Sequence, residues 1–352
     1  MHRRTLLRAA AVATMARVSP AATEELLPIY NLVGNFMNWR AISDAYAVRT
    51  GIRPTLGLRS GSSPALVAMR MEASQPQAAG AYWSLDVAVE AKKAGVTAAY
   101  RPKGFDIVPE GLKDPEGHWW AMATTNVVIG VNNEVLQRRN LAPPRSYADL
   151  LKPEYHGLAA CMDPTWSGTA SVFLYGINFV LGGTRTDFRP GMRWLKAYAE
   201  NGNQFRSELV APRLATGDTA VTLDAEGNIL LSKDGGAPLS TVVPTEGVVS
   251  AALGMSVARN GVKPERARQF MDWLLGPEAQ GLIAEGYFRP VRADAVTRRI
   301  ASAMPDVSAV SRPALDIQHQ AEVLAPLKRA FVEIVTRGGD VERVLRRHGL
   351  AG

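Results

Sequence analysis

Short apolar segments alternate with amphipathic segments along most of the chain. Residues 26–33 and 52–58 are rich in the aliphatic side chains typical of buried strands, and apolar residues within 38–49 recur at helical spacing. Strand, helix and strand in this order predict a βαβ unit, in which two parallel strands are covered by a helix. The alternation therefore predicts an α/β fold.

The same pattern continues to the end of the chain, with proline and glycine at the predicted boundaries. Further strands are predicted at residues 124–132, 158–162 and 251–257. Further helices are predicted from Ser63-Pro64, at 147–151, after the loop 163–169, from Pro264, up to Gly286, and as a charged tail at 318–347. Since 352 residues exceed the usual size of one core, two lobes are expected, although a single α/β barrel also fits this length.

The N-terminal 22 residues differ from the rest of the chain. They contain Arg3, Arg4, Arg8 and Arg17 and no acidic residue, which predicts a cleavable export signal. The start of this segment is similar to the twin-arginine export motif. The alternative is an amphipathic leader on a cytosolic protein. No cysteine lies near Ala22, so we expect no lipid anchor.

Net charge and hydropathy argue against nucleic-acid binding and against a membrane-spanning helix. Without the four leader arginines the chain has 36 basic and 33 acidic residues, and this net charge of +3 is too small to predict nucleic-acid binding. No later stretch reaches the roughly 18 to 20 uninterrupted apolar residues that a membrane-spanning helix needs.

The usual sequence signatures of catalytic and metal sites are missing. The chain has no zinc-protease, P-loop, nucleophile-elbow or dinucleotide-binding motif, and its five histidines share no ligand spacing. Its single cysteine, Cys161, lies in an apolar run, which predicts a buried, unreactive thiol and excludes an internal disulfide. We therefore expect a protein that is not an enzyme and that holds no cofactor or metal ion.

Two loops that lead into helices are candidates for ligand binding. Residues 60–63 precede the helix at Pro64, and residues 163–169 precede the helix that should end at Gly182-Gly183. A helix N-terminus carries unpaired N–H groups and about half a positive charge, which favours anions.

Several segments in order carry a resemblance to a known family. They are residues 61–66, 75–78, 126–132, 147–151, 155–157, 163–169, 267–280 and 289–294. Together they resemble the extracellular solute-binding proteins of ABC importers, in the branch with ferric-iron, phosphonate and sugar-phosphate binding proteins.

The resemblance implies a type II periplasmic-binding-protein fold. Two α/β lobes, each a mostly parallel sheet flanked by helices, would be joined by two crossing hinge strands and would close over a solute. The implied division is an export signal at 1–22, a first lobe at 23–125 plus 248–292, and a second lobe at 126–247 plus 293–352. The protein would be a periplasmic monomer that delivers a small molecule to an ABC transporter permease.

The resemblance also implies the residues that line the cleft. The first lobe would contribute Asn35, Phe36, Gly61, Ser62, Ser63, Trp83 and Ser84. The second lobe would contribute Thr165, Trp166, Ser167, Gly168, Thr169, Asp224, Glu226 and Glu246. Purely structural roles remain open: the serines can simply cap a helix, the tryptophans can belong to the core, and the acidic pair can form a solvated turn.

Three ligand classes follow from these residues. The leading hypothesis is a small organic anion or zwitterion, such as a phosphonate, a phosphorylated metabolite or a carboxylate, held by the helix-start loops. A polyamine or quaternary amine is the alternative if the acidic and aromatic residues dominate. Ferric iron is disfavoured, because the adjacent tyrosines of ferric-iron members are missing near residues 221–226. An enzyme on the same fold would need a reactive constellation that the sequence lacks.

Overall fold

The computed structural model describes residues 24–34, 36–314 and 316–352. Its strands are β1 (Glu25–Leu27), β2 (Ile29–Tyr30), β3 (Ile52–Pro54), β4 (Gly80–Ser84), β5 (Thr97–Ala98), β6 (Trp120–Asn132), β7 (Ala159–Met162), β8 (Gln204–Arg206), β9 (Val221–Ala225), β10 (Leu239–Val242), β11 (Val249–Ala258) and β12 (Arg289–Pro290). The export signal expected at residues 1–22 lies outside the described residues.

Helices alternate with these strands as the pattern predicts. They are α1 (Trp39–Thr50), α2 (Ser62–Met71), α3 (Leu85–Lys93), α4 (Asn133–Arg138), α5 (Gly168–Val180), α6 (Arg189–Glu200), α7 (Ala211–Thr216), α8 (Glu226–Asp234), α9 (Pro264–Leu274), α10 (Pro277–Glu285), α11 (Arg298–Ala303), α12 (Ile317–Phe331) and α13 (Val341–Arg347).

Predicted and observed elements differ mainly at their ends. The strand predicted at 26–33 is split by Pro28 into β1 and β2, because proline has no N–H for a sheet hydrogen bond. The helix predicted at 147–151 shortens to a single 3₁₀ turn at Asp149–Leu151. The predicted βαβ unit is confirmed: β1 and β3 pair in parallel with α1 between them.

Two long strands dominate the sheet. Its order is β2-β4-β11-β6-β9-β7-β8, and β5, β10 and β12 pair with β11 or β6. The sheet is mixed: β2 and β4 are parallel at one end, β7 is parallel to β8 and β9 at the other, and β6 and β11 run antiparallel to their neighbours. β6 and β11 thus cross the middle of the molecule in opposite directions.

The two halves of this sheet have separate hydrophobic cores. The core changes along β6 between Ala123 and Val127, and along β11 between Ala252 and Ala251. β6 and β11 therefore join two α/β lobes. Helix α12 contributes to both cores, with Ile317 in the first and Leu327 in the second. The lobe boundaries given above accordingly stay a proposal.

No helix in the described part of the chain is long and apolar enough to cross a membrane.

Candidate functional site

A cavity of about 270 Å³ lies between the two lobes. The first lobe contributes Asn31, Val33, Phe36, Ser60, Gly61, Ser62, Tyr82, Ser84 and Leu253, and the second contributes Met162, Trp166, Ser167, Gly168, Thr169 and Leu209. Most of these residues come from strand ends and from the starts of α2 and α5. Strand ends and helix starts are where α/β proteins usually bind ligands.

Asn31 organises the first helix start. It has a left-handed backbone (φ 68°), its amide oxygen accepts from the Gly61 N–H at 2.5 Å, and its amide nitrogen donates to the Tyr82 carbonyl at 2.8 Å. The Ser62 hydroxyl oxygen accepts from the Ser84 N–H at 3.0 Å. These bonds fix the loop before α2 against the end of β4.

The second helix start is built in a similar way. The Ser167 hydroxyl caps α5 by accepting from the Ala170 N–H at 3.3 Å, and the Ser171 hydroxyl donates to the Pro164 carbonyl at 2.7 Å. The first N–H groups of a helix have no partner within it, and those of Gly168 and Thr169 have no backbone acceptor in the described part of the chain, so they can bind a ligand in the cavity.

The two helix starts meet across the cavity. A Cβ atom added to Gly168 would lie 2.9 Å from the Ser84 hydroxyl oxygen and 3.4 Å from that of Ser62. A Cβ atom added to Gly61 would lie 3.8 Å from the Trp166 carbonyl oxygen. The lobes are therefore in contact at this edge, and only glycine at position 168 permits the approach.

Two hydroxyl groups in the cavity wall lack a protein partner. The side-chain oxygens of Tyr82 and Ser84 are buried and form no hydrogen bond within the described part of the chain. Burial raises the pKa of the Tyr82 phenol well above its ordinary value, so the phenol keeps its proton. Since buried polar groups rarely stay unpaired, both hydroxyls are candidate donors to a bound solute, and neither oxygen has solvent-exposed surface in this arrangement.

The rest of the wall is apolar and uncharged. Phe36 and Tyr82 lie 6.1 Å apart between ring centroids, and Trp166, Met162 and leucine side chains complete the surface. None of the described residues that line the cavity is acidic or basic. The site thus combines a polar end, made of helix starts and hydroxyls, with an apolar body.

Comparison with known proteins identifies the family of this chain. The sequence profile of the bacterial extracellular solute-binding proteins matches residues 82–316, which is most of the chain. The chain belongs to this family. Its members serve as the periplasmic solute-binding components of ABC importers, and they are binding proteins rather than enzymes.

The chain is also similar to individual proteins. An uncharacterized protein of Haemophilus influenzae is 28% identical over 254 residues, covering 69% of this chain and 70% of that protein. The spermidine/putrescine-binding periplasmic protein of Escherichia coli is 26% identical over 168 residues, only 46% of each chain. The structure of the periplasmic binding protein AfuA from Actinobacillus pleuropneumoniae, with fructose-6-phosphate bound, aligns with a TM-score of 0.78 at 22% identity, covering 89% of this chain and 99% of AfuA. This likeness shows the shared fold.

Eight of the fifteen residues predicted to line the cleft do line the cavity of this solute-binding protein. They are Phe36, Gly61, Ser62, Ser84, Trp166, Ser167, Gly168 and Thr169. Asn35 lies outside the described residues. The two helix-start loops therefore lie together at one cavity.

The remaining predicted residues face elsewhere. Ser63 follows Ser62 on α2 and does not line the cavity, and Thr165 is exposed, with its hydroxyl bonded to Asp163 at 2.6 Å. Trp83 is fully buried in the first core, where its indole N–H donates to the Ser256 hydroxyl at 2.7 Å.

The acidic residues also lie outside the cavity wall. Glu226 is fully buried and forms a two-bond ion pair with Arg289 at 2.7 and 2.9 Å. Glu246 accepts from two backbone N–H groups, those of Tyr147 and Ala148, each at 3.1 Å. Both carboxylates are thus committed to protein partners.

Asp224 lies behind the site, in a separate cavity of about 20 Å³ that shares Met162 and Thr169 with the main one. Its carboxylate accepts from the Ala225 N–H at 2.7 Å and the Asn228 amide at 3.0 Å. Burial raises its pKa to about 6. This second space is large enough for about one water molecule.

Sequence reasoning missed six cavity residues: Asn31, Val33, Tyr82, Met162, Leu209 and Leu253. Tyr82 could have been found, since it lies two positions before Ser84 on β4 and alternate strand residues share a face. Neither Asn31 nor Leu209 has such a signal, because each belongs to an irregular loop. The described residues contain no group of three or more His, Cys, Asp or Glu side chains that could hold a metal ion.

Proposed function

We propose that this periplasmic solute-binding protein captures a small organic anion with an apolar or aromatic body, such as a phosphonate, a phosphorylated metabolite or a carboxylate. It then delivers the solute to an ABC importer permease and acts as a monomer. The leader at residues 1–22 directs export, by the twin-arginine route that its paired arginines favour.

The composition of the cavity wall is the observation that supports this proposal. Two helix starts, at Ser62 and Gly168, converge on one end, and the unpaired hydroxyls of Tyr82 and Ser84 lie in the same wall. All of these groups offer hydrogen-bond donors, and donors in a desolvated site favour an oxyanion. The apolar remainder suits a carbon skeleton rather than an inorganic ion.

A polyamine or quaternary amine is supported less well. An ammonium group needs carboxylates or carbonyl oxygens, and none of the described lining residues is acidic. Glu226 and Glu246 are bonded to other protein groups, and Asp224 lies behind the wall. This chain is partly similar to a spermidine/putrescine-binding protein, but the described lining residues offer no carboxylate that could bind an amine.

Ferric iron is also supported less well. The wall contributes one phenol, Tyr82, whose raised pKa keeps it protonated, whereas a hard ferric ion favours phenolate oxygens. The paired tyrosines expected of a ferric-iron binder are missing near residues 221–226.

Native mass spectrometry of the freshly purified exported protein tests the ligand class by revealing any solute that co-purifies. Calorimetry with that solute then tests the site. Ser84→Ala and Tyr82→Phe should each weaken binding roughly tenfold to a hundredfold, since a hydrogen bond to a charged group contributes about 1.5 to 3 kcal/mol. Tyr82→Phe leaves no protein group without a partner, whereas Ser84→Ala also removes a hydroxyl beside the buried Asp86 carboxylate, so a thermal melt accompanies each binding measurement.

Ser63→Ala is the control, because it removes a serine from the start of α2, next to the cavity residue Ser62, without touching the cavity. It should bind like the wild type. The proposal fails if Ser84→Ala and Tyr82→Phe bind normally while Asp224→Asn abolishes binding, since that pattern requires a cationic solute.

A further inference from the structure

Three consecutive residues that follow α10 and run into the first residue of β12 contact the second lobe. We call Tyr287, Phe288 and Arg289 the clasp. All three side chains reach toward α8, the helix that follows β9, and Ile229 of α8 packs with Val128 of β6 and Leu239 of β10 on the second-lobe side of the sheet. Tyr287 has a left-handed backbone (φ 59°), which is rare for a bulky residue and costs energy unless its surroundings enforce it.

The outer two residues of the clasp hold the two ends of α8. At the N-terminal end, the Arg289 guanidinium binds the carboxylate of Glu226 through two hydrogen bonds at 2.7 and 2.9 Å. At the C-terminal end, the Tyr287 phenol donates to the carboxylate of Asp234, the last residue of the helix. The helix is thus fixed at both ends by one short segment.

The middle residue links this helix to the ligand cavity. Phe288 is fully buried, and its ring meets the ring of Phe36 edge-on at 4.9 Å between centroids. Phe36 lines the cavity. On its other side Phe288 abuts α8 so closely that a Cβ atom on Gly227 would lie 2.5 Å from its ring.

The clasp also reaches the strands that join the lobes. Glu226 accepts from the backbone N–H and the side-chain amide of Asn126 on β6, at 3.2 and 3.1 Å. The Asn126 amide oxygen accepts from the Ser250 hydroxyl on β11 at 2.7 Å. Asn126 and Ser250 are paired in register at the point where the core changes from one lobe to the other. The ion pair is therefore bonded directly to β6 and, through Asn126, indirectly to β11.

We propose that the clasp couples the ligand cavity to the hinge. It positions Phe36 in the cavity wall through Phe288, and it biases the solute-free protein toward the closed arrangement by holding α8. Rotation of the lobes about β6 and β11 has to rearrange or break these contacts. This inference rests on the lobe closure that goes with the proposed function, but it does not depend on which solute binds.

Distance measurements on solute-free protein test the clasp. Spin labels at Met71→Cys on α2 and Glu200→Cys on α6 report the separation of the lobes, since both positions are exposed and lie on helices of different lobes. Cys161 is buried, and burial raises its pKa far above the ordinary value, so it stays unlabelled.

Tyr287→Phe and Arg289→Lys should each shift the ratio of open to closed molecules about tenfold toward open, because each removes a hydrogen bond to a charged group. Tyr100→Phe is the matched control. It removes a phenol-to-carboxylate bond of 2.6 Å, to Asp272, that ties together two segments of the first lobe only. Its distance distribution should equal that of the wild type.

A spectroscopic signal tests the positioning of Phe36. In fluorophenylalanine-labelled protein, the fluorine NMR resonance of Phe36 is identified as the one that disappears in Phe36→Leu. This resonance should move in Tyr287→Phe and stay in place in Tyr100→Phe. Wild-type distances and an unmoved Phe36 resonance in folded Tyr287→Phe and Arg289→Lys would overturn the inference. Because no solute is added, failure of the anion proposal would leave this result unaffected.

Discussion

Gly168→Ala should separate solute binding from folding. The added methyl group would lie 2.9 Å from the Ser84 hydroxyl oxygen and 3.1 Å from its Cβ atom, across the gap between the lobes. Ordinary carbon contacts lie at about 3.5 to 4.0 Å, so the lobes have to separate by several tenths of an ångström or more. Overpacking of this kind costs about 1 to 3 kcal/mol, which corresponds to roughly 5- to 150-fold weaker binding.

Folding should not suffer, because position 168 is the first residue of α5 and alanine is a better helix former than glycine. Calorimetry with the co-purified solute and a thermal melt of solute-free protein measure the two effects. Gly281→Ala is the control, since a Cβ atom at that position in α10 meets nothing within 4 Å. Wild-type affinity in Gly168→Ala would refute the claim that the lobes touch here in the bound state.

Three further predictions concern pH, metal and export. Asp224→Asn should raise the free energy of unfolding by about 1 to 3 kcal/mol at pH 8 and change it little at pH 4. The reason is that the folded-state pKa of about 6 makes the wild type lose stability as pH rises from about 4 to 6. An equal gain at both pH values in thermal melts would contradict this. Ferric citrate should produce no visible charge-transfer band, and a strong band would reinstate the iron hypothesis. Exported protein should begin near Ala22 or Thr23 by N-terminal sequencing, whereas full-length protein found only in the cytosol would argue against an export signal.

The helix starts of the site could be predicted from the sequence because their signals are local. Serine, proline and glycine at fixed offsets mark the beginnings of α2 and α5; α2 begins one residue before Ser63, and α5 begins at Gly168, inside the loop 163–169. Each loop then reaches the cavity because it lies at the end of a strand in an α/β sheet.

The acidic residues could not be placed, because their partners are distant in the sequence. Glu226 is neutralised by Arg289, 63 residues later, and Glu246 binds N–H groups about 99 residues earlier. On β4 the prediction named the neighbours Trp83 and Ser84, which lie on opposite faces of the strand. Tyr82 and Ser84 share the cavity face, whereas Trp83 is buried in the first core.

Helix α12 packs into both cores, and this limits the order in which the chain can fold during synthesis. The first core contains Leu27 and also Ile317 and Ala321, and the second contains Val127 and also Leu327 and Phe331. A nascent chain that ends before α12 therefore cannot complete either core. Contacts between residues this far apart also form slowly, since a long loop has to close first. We infer that both lobes reach their native packing only once nearly the whole chain has left the ribosome, so that export machinery and chaperones meet an incompletely packed protein until then.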